Sequence, residues 1–182
     1  DKDAYYARIE EVRDFDTNPP LVWDIRKIYE GLKREGFREV IGIHVSSAMS
    51  RLIETCRNGR NMVNGLEVRI IDTKTLSAGA YLVAEKIVEL LHYGRRWDQV
   101  IPLVPRIQSS VHFQISLSTL TYLVKNKRIG RAQGLLGNLF RMRPILGIDG
   151  DGYLVPLGKE RGKDRVVDRI AGEAARFLRD RP

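Results

Sequence analysis

Val40-Ile41-Gly42-Ile43-His44-Val45-Ser46-Ser47-Ala48-Met49-Ser50 carries the reading of this chain. Val40, Ile41, Ile43 and Val45 are β-branched and lie in a short apolar run, the pattern of a strand covered on both faces. Ser46 and Ser47 end the run. Met49, Leu52, Ile53 and Cys56 then recur at helical spacing, so a helix is predicted to open there. Downstream the pattern repeats, with a second buried strand from Leu66 to Ile71 that ends at Asp72. A helix follows from Ser77 to Tyr93, with Ala80, Val83, Ala84, Ile87 and Leu91 on one face and Gly94 past its end. Upstream, Ile25, Ile28, Tyr29 and Leu32 place a helix from Trp23 to about Gly36. Strand and helix alternating through short connections predict a parallel sheet covered by helices. Ligands of such sheets sit beyond the carboxyl ends of the strands, where Ser46-Ser47 and Asp72-Thr73 fall.

After Arg106 the pattern changes. A strand is predicted at Val111–Ile115, with helices at Ser118–Val124 and Arg128–Phe140. Two further strands, Pro144–Ile148 and Tyr153–Leu157, flank the hairpin signal Asp149-Gly150-Asp151-Gly152. A last amphipathic helix from Asp164 carries Val167, Ile170, Ala171, Ala174 and Leu178 at helical spacing. The expected fold class is α/β. Residues 1–107 form a parallel-sheet α/β domain and residues 108–182 a smaller α+β domain with antiparallel strands, joined near Pro105–Ser110.

Composition narrows the function. The 182 residues hold 31 Lys and Arg against 23 Asp and Glu, a net charge of +8, with 43% hydrophobic residues. That is the make-up of an ordinary globular chain, not a disordered one. No stretch has the length of a transmembrane segment. Cys56 is the single cysteine, which excludes an internal disulfide and fits a reducing compartment, so a cytoplasmic location is expected. Its place on an apolar helix face reads as core, not as a nucleophile. The charge is uneven: residues 123–182 hold 14 basic and 7 acidic side chains, net +7. Such a half raises nucleic acid or an anionic surface as a partner. No helix-turn-helix, zinc knuckle or RNA-stacking pattern accompanies it, so a solvated basic face is the reading favoured over nucleic acid.

Several chemistries find no residues. His44, His92 and His112 are far apart, without metal-ligand neighbours at helical spacing. Asp149–Glu160 has acids at three positions of a calcium loop, but Leu154 stands where its glycine is needed. Gly130, Gly134 and Gly137 fit no phosphate-loop or dinucleotide spacing, which leaves a phosphotransferase without a motif. No metal, cofactor or catalytic residue is expected, and binding is favoured over catalysis. Ser46 and Ser47, with Ser50 one turn on, suit a site for a carboxylate or phosphate at a helix N-terminus; from these residues alone simple capping is the favoured reading, because Ser is a preferred cap.

A series of short motifs runs along the chain: Thr17-Asn18-Pro19-Pro20, Ser46-Ser47-Ala48-Met49-Ser50-Arg51-Leu52-Ile53 and Ile71-Asp72-Thr73. Thr119-Leu120-Thr121-Tyr122-Leu123, Lys127-Arg128-Ile129-Gly130, Arg143-Pro144-Ile145-Leu146, Asp151-Gly152 and Lys159-Glu160-Arg161-Gly162 follow. In kind and order these motifs resemble the DegV family of fatty-acid-binding proteins. The resemblance implies a two-domain bacterial protein that holds one long-chain fatty acid, its bound ligand, in a cleft. It implies that Thr17 and Ser47 contact the carboxylate, with Ser46 and Ser50 in support, and that Arg128 serves the head group, a partner or a structural ion pair. It also implies a partner, a Dak-like fatty acid kinase catalytic subunit that turns the presented acid into acyl-phosphate for phospholipid metabolism.

Two departures stand out. Asn18-Pro19 replaces the family's Ser-Gln, and Arg51-Leu52-Ile53 replaces Gly-Thr-Tyr, which puts a charge where the family has a glycine. The family's opening strand with its Asp-Ser end, and its closing Gly-x-His-x-Gly-Pro-Gly-like turn, have no counterpart here. The chain is therefore expected to be the middle of such a protein.

Overall fold

The computed structural model describes residues 3, 4, 8, 17–135, 137 and 141–180. Helix α1 (Val22–Arg34) has Asp24 in its first turn and Lys33 and Arg34 in its last, the arrangement that complements a helix dipole. Strand β1 (Glu39–His44) follows, then α2 (Leu52–Arg60), β2 (Glu67–Asp72) and α3 (Ser77–His92). The strands pair in parallel, from Glu39 opposite Glu67 to His44 opposite Asp72. Their alternation supplies two cores. Ile41, Ile43 and Ile71 face Val83 and Ile87 of α3, while Val40, Val68 and Ile70 face Ile25 and Tyr29 of α1 and Cys56 of α2. A strand with apolar side chains on both faces is thereby explained.

Cys56 is 2% exposed, and burial pushes its thiol pKa up. It stands beside Tyr29, whose hydroxyl burial also raises. Both observations fit the core reading of this cysteine.

Two short helices, α4 (Trp97–Val100) and α5 (Val104–Ser109), are joined by a 3₁₀ turn and close the α3 face with Trp97, Val100, Val104 and Ile107. The sequence reading assigned no element to residues 95–103. Pro102 and Pro105 look like breakers, yet each lies in the first two positions of a helical turn, where a missing N–H is harmless.

The second sheet is antiparallel, in the order β3 (Gln114–Ser116), β4 (Arg143–Ile148), β5 (Leu154–Glu160). Between β3 and β4 lie α6 (Thr121–Lys125) and a 3₁₀ stretch, Gly130–Leu135. This stretch replaces the long helix expected over 128–140; residues 136 and 138–140 lie outside the described residues. Gly130 has φ +59, and a Cβ there would meet the Leu154 backbone O at 2.9 Å, so the chain turns where a helix would have continued. Leu120, Ile129, Ala132, Leu146 and Leu154 form a third core, and Met49 and Leu76, from the loops after β1 and β2, pack on it.

Helix α7 (Lys163–Arg179) corrects one expectation. It was expected to bury Val167, Ala171, Ala174 and Leu178 along with Ile170. Instead Val166 is buried, Ile170 and Phe177 are half-buried, and Val167 and Leu178 are 55% and 71% exposed. Polar anchors set this rotation. Arg169 pairs with Glu160 at 3.0 Å and Glu173 at 3.1 Å and donates to the Leu157 carbonyl at 2.9 Å. Gln114 donates to Glu173 at 2.7 Å, and the His112 ring stacks on Phe177 with centroids 4.6 Å apart. Among the described residues no helix is long and apolar enough to cross a membrane.

Candidate functional site

The loops after β1 and β2 meet the second sheet, and the loop after β1 lines a cleft of about 760 Å³. Three segments line it: Thr17–Pro19, Ser47–Arg51 and Lys125–Arg128. Four of the expected residues, Thr17, Ser47, Ser50 and Arg128, share this one space although they span more than a hundred positions. Arg128 ties two of the segments together, its Nη2 donating to the Thr17 carbonyl at 2.8 Å. The Thr17 hydroxyl in turn donates to Asn126 Oδ1 at 3.3 Å. Among the described residues, the cleft wall carries the cations of Arg51, Lys125, Lys127 and Arg128 and no carboxylate. A ring of cations with hydroxyls between them is the chemistry that recognises an anion.

The helix-terminus geometry expected for the serines is not what forms. Residues 46–51 make a turn, in which the Met49 and Ser50 N–H groups bond the Ser46 carbonyl at 3.0 and 3.1 Å, and α2 starts only at Leu52. The Ser50 hydroxyl accepts from the Leu52 N–H at 3.2 Å, so Ser50 serves the helix start and the cleft together. Ser46 stands behind the wall. It is fully buried, and its N–H donates to the Thr75 carbonyl at 2.8 Å. Its hydroxyl donates to the Gly152 carbonyl at 2.8 Å and accepts from the Ala48 N–H at 3.2 Å. It fastens the end of β1 to the β4–β5 turn and does not line the cleft.

That turn is itself braced. Gly152 N–H returns to the Asp149 carbonyl at 3.0 Å, and Arg131 pairs with Asp149 at 2.5 Å and Asp151 at 3.0 Å while its guanidinium lies over the Tyr153 ring. Two acids of the calcium-loop-like stretch, Asp149 and Asp151, are thus held by Arg131, and the third, Glu160, pairs with Arg169. Lys74 Nζ adds a bond to the Gly150 carbonyl at 3.3 Å.

Sequence reasoning assigned no role to Lys125, Asn126 or Lys127, which enter the cleft because Arg128 N–H closes onto the Leu123 carbonyl at 2.7 Å and turns the segment inward. It placed Asp72 at the productive sheet edge but not its contact, a hydrogen bond of 2.5 Å from the Ser47 hydroxyl. His44, opposite Asp72 in the register, has its pKa lowered by burial, against the pull of Asp72; its Nε2 has no partner among the described residues.

Comparison with known proteins identifies the fold and the family. Residues 1–180 match the model of a family described as uncharacterised protein, DegV family. A DegV domain-containing protein of Clostridium acetobutylicum is 29% identical over 179 residues, which cover 93% of this chain and 62% of that protein. A fatty-acid-binding DegV family protein from Thermus thermophilus superposes with a TM-score of 0.85 at 25% identity, over 97% of this chain and 62% of the other. A DegV lipid-binding protein from Thermotoga maritima superposes at 0.82 with 26% identity, over 96% of this chain and 60% of the other. The chain thus spans about three fifths of the length of these relatives. It belongs to the DegV family.

Proposed function

We propose that the chain forms the head-group site for a long-chain fatty acid, with the carboxylate in the cleft between Thr17, Ser47, Ser50 and Arg128. The observation that carries this reading is the convergence of the Thr17, Ser47 and Ser50 hydroxyls with four cations beside the end of β1. A volume of about 760 Å³ is within the usual range of small-ligand sites. Similar structures of fatty-acid-binding and lipid-binding proteins support the ligand class. The division of labour follows from magnitudes. Each buried CH₂ contributes about 0.8 kcal/mol, so a long tail offers on the order of 10 kcal/mol gross, whereas a charge-assisted hydrogen bond contributes about 1.5–3. The tail sets affinity and the cleft sets orientation.

In this reading Ser46 supports the site from behind, as the fastener between the β1 end and the β4–β5 turn. The two units join near Pro105–Ser110, the span that holds most of α5. The protein is a non-catalytic, cytoplasmic carrier that presents the carboxylate to an ATP-dependent fatty acid kinase for acyl-phosphate formation. The carboxylate occupies the open, cationic side, where a partner's phosphate donor has access.

The test compares a saturated long-chain acid with its primary alcohol by calorimetry. The acid is expected to bind about tenfold or more tightly, with that preference shrinking as salt rises. Equal affinities would remove the carboxylate from the cleft. Steeply salt-dependent binding of RNA or DNA with no lipid binding would favour the anionic-polymer reading of the basic half.

A further inference from the structure

We infer that Asp72 determines how strongly this cleft grips a carboxylate, by competing with the ligand for the one proton of the Ser47 hydroxyl. The inference rests on the fatty-acid reading and adds a specificity-determining residue outside the cleft lining. Ser47 Oγ donates to Asp72 Oδ2 at 2.5 Å, and its N–H lies 3.3 Å from both carboxylate oxygens. Oδ1 is held separately, by the Lys74 N–H at 2.8 Å, and the Asp72 carbonyl accepts from Gln108 Nε2 at 2.7 Å. Asp72 is therefore fixed from both sides at the end of β2.

A hydroxyl has a single hydrogen, and a carboxylate can only accept. While Ser47 donates to Asp72, it turns lone pairs to the cleft. An incoming carboxylate meets lone pair with lone pair, and it gains Ser47 as a donor only by drawing the hydroxyl off Asp72. A head group with its own O–H meets no such competition, because it donates to the lone pairs already presented. Ser50 differs: its hydroxyl accepts from Leu52 N–H and keeps its proton for the cleft. Asp72 thus loosens the hold on the anion while leaving an alcohol unaffected, and a grip of this kind lets a carboxylate be surrendered.

Asparagine reverses the polarity at this point with little change of shape. With Oδ1 still accepting from Lys74 N–H, the amide nitrogen takes the Oδ2 place, donates to Ser47 Oγ and turns the hydroxyl proton into the cleft. The experiment measures dissociation constants for a long-chain acid and its matching alcohol in the native protein, Asp72→Asn, Ser47→Ala and the double variant. Asp72→Asn is expected to bind the acid about five- to tenfold more tightly, with the alcohol unchanged or weaker. Ser47→Ala is expected to abolish the gain, a coupling that a double-mutant cycle reads directly. Asp72→Ala removes the competitor without adding a donor, and is expected to give a smaller gain of the same sign; it serves if the asparagine variant does not fold.

Unchanged or weaker acid binding in a folded variant would overturn the inference while leaving the fatty-acid reading intact. So would a gain that survives Ser47→Ala, since Asp72 would then act through charge alone. A native protein that binds neither acid nor alcohol takes down both.

Discussion

Gly152→Ala is expected to destabilise the fold by about 3 kcal/mol or more, a large part of the roughly 5–15 kcal/mol that holds a domain together. Three effects add. Gly152 has φ +89, in the left-handed region, where a Cβ costs about 1–2 kcal/mol. The added methyl would overlap Ser46 Oγ, which is fully buried and has nowhere to move. Displacing that hydroxyl leaves the Gly152 carbonyl without its donor, at about 1–3 kcal/mol for a buried group. Ser46→Ala removes only the last of these and is expected to lose about 1–2 kcal/mol. Gly172→Ala is the control. It lies in α7 with open space around its Cβ position, and alanine there should stabilise by up to about 1 kcal/mol. Urea unfolding of the three variants checks the order. Because Ser46 and Gly152 join the β1 end to the second sheet, the same variant should also loosen the cleft.

Arg128→Ala is expected to weaken fatty-acid binding by roughly ten- to a hundredfold, the worth of about 1.5–3 kcal/mol for a charged hydrogen-bonding group. It removes a cation from the cleft wall and also the bond that holds the Thr17 carbonyl, so the Thr17–Pro19 segment loses its anchor. Arg128→Lys keeps the charge without the fork and should recover only part of the loss. The matching alcohol should lose less than the acid in both variants. Titration calorimetry with the two ligands separates these contributions.

The parts of the fold that were legible in the sequence are those fixed by local periodicity. The runs Val40–Val45 and Leu66–Ile71 read as strands apolar on both faces, and the stripe of Val83 and Ile87 read as a buried helix face, because burial there follows from spacing alone. The hairpin at Asp149–Gly152 was legible for the same local reason. What escaped depends on distant partners. The turn at Gly130 is set by the Leu154 backbone, and the rotation of α7 by Arg169 reaching Glu160 and the Leu157 carbonyl. Apolar spacing along α7 pointed to Val167 and Leu178, but an arginine with three partners outweighs two exposed aliphatics.

The site shows the same division. Thr17, Ser47, Ser50 and Arg128 could be named from ordered motifs, since a motif records residue types at fixed spacing. Ser46 and Ser47 are adjacent and chemically alike, so residue chemistry alone does not separate them; only the family resemblance gave Ser47 the contact and Ser46 a supporting part. The structure does: one hydroxyl is spent on Gly152, 106 positions away, and the other on Asp72, 25 positions away. Lys125 and Lys127 looked like ordinary surface charge until the turn at Arg128 brought their segment to the cleft.

All of these binding expectations require that the cleft hold the carboxyl end of a long-chain fatty acid. Mass spectrometry of lipid extracted from the purified protein tests it most directly. Long-chain fatty acid approaching one molecule per protein is expected, falling severalfold in Arg128→Ala. No fatty acid in the extract, and none retained after loading with excess acid, would contradict it.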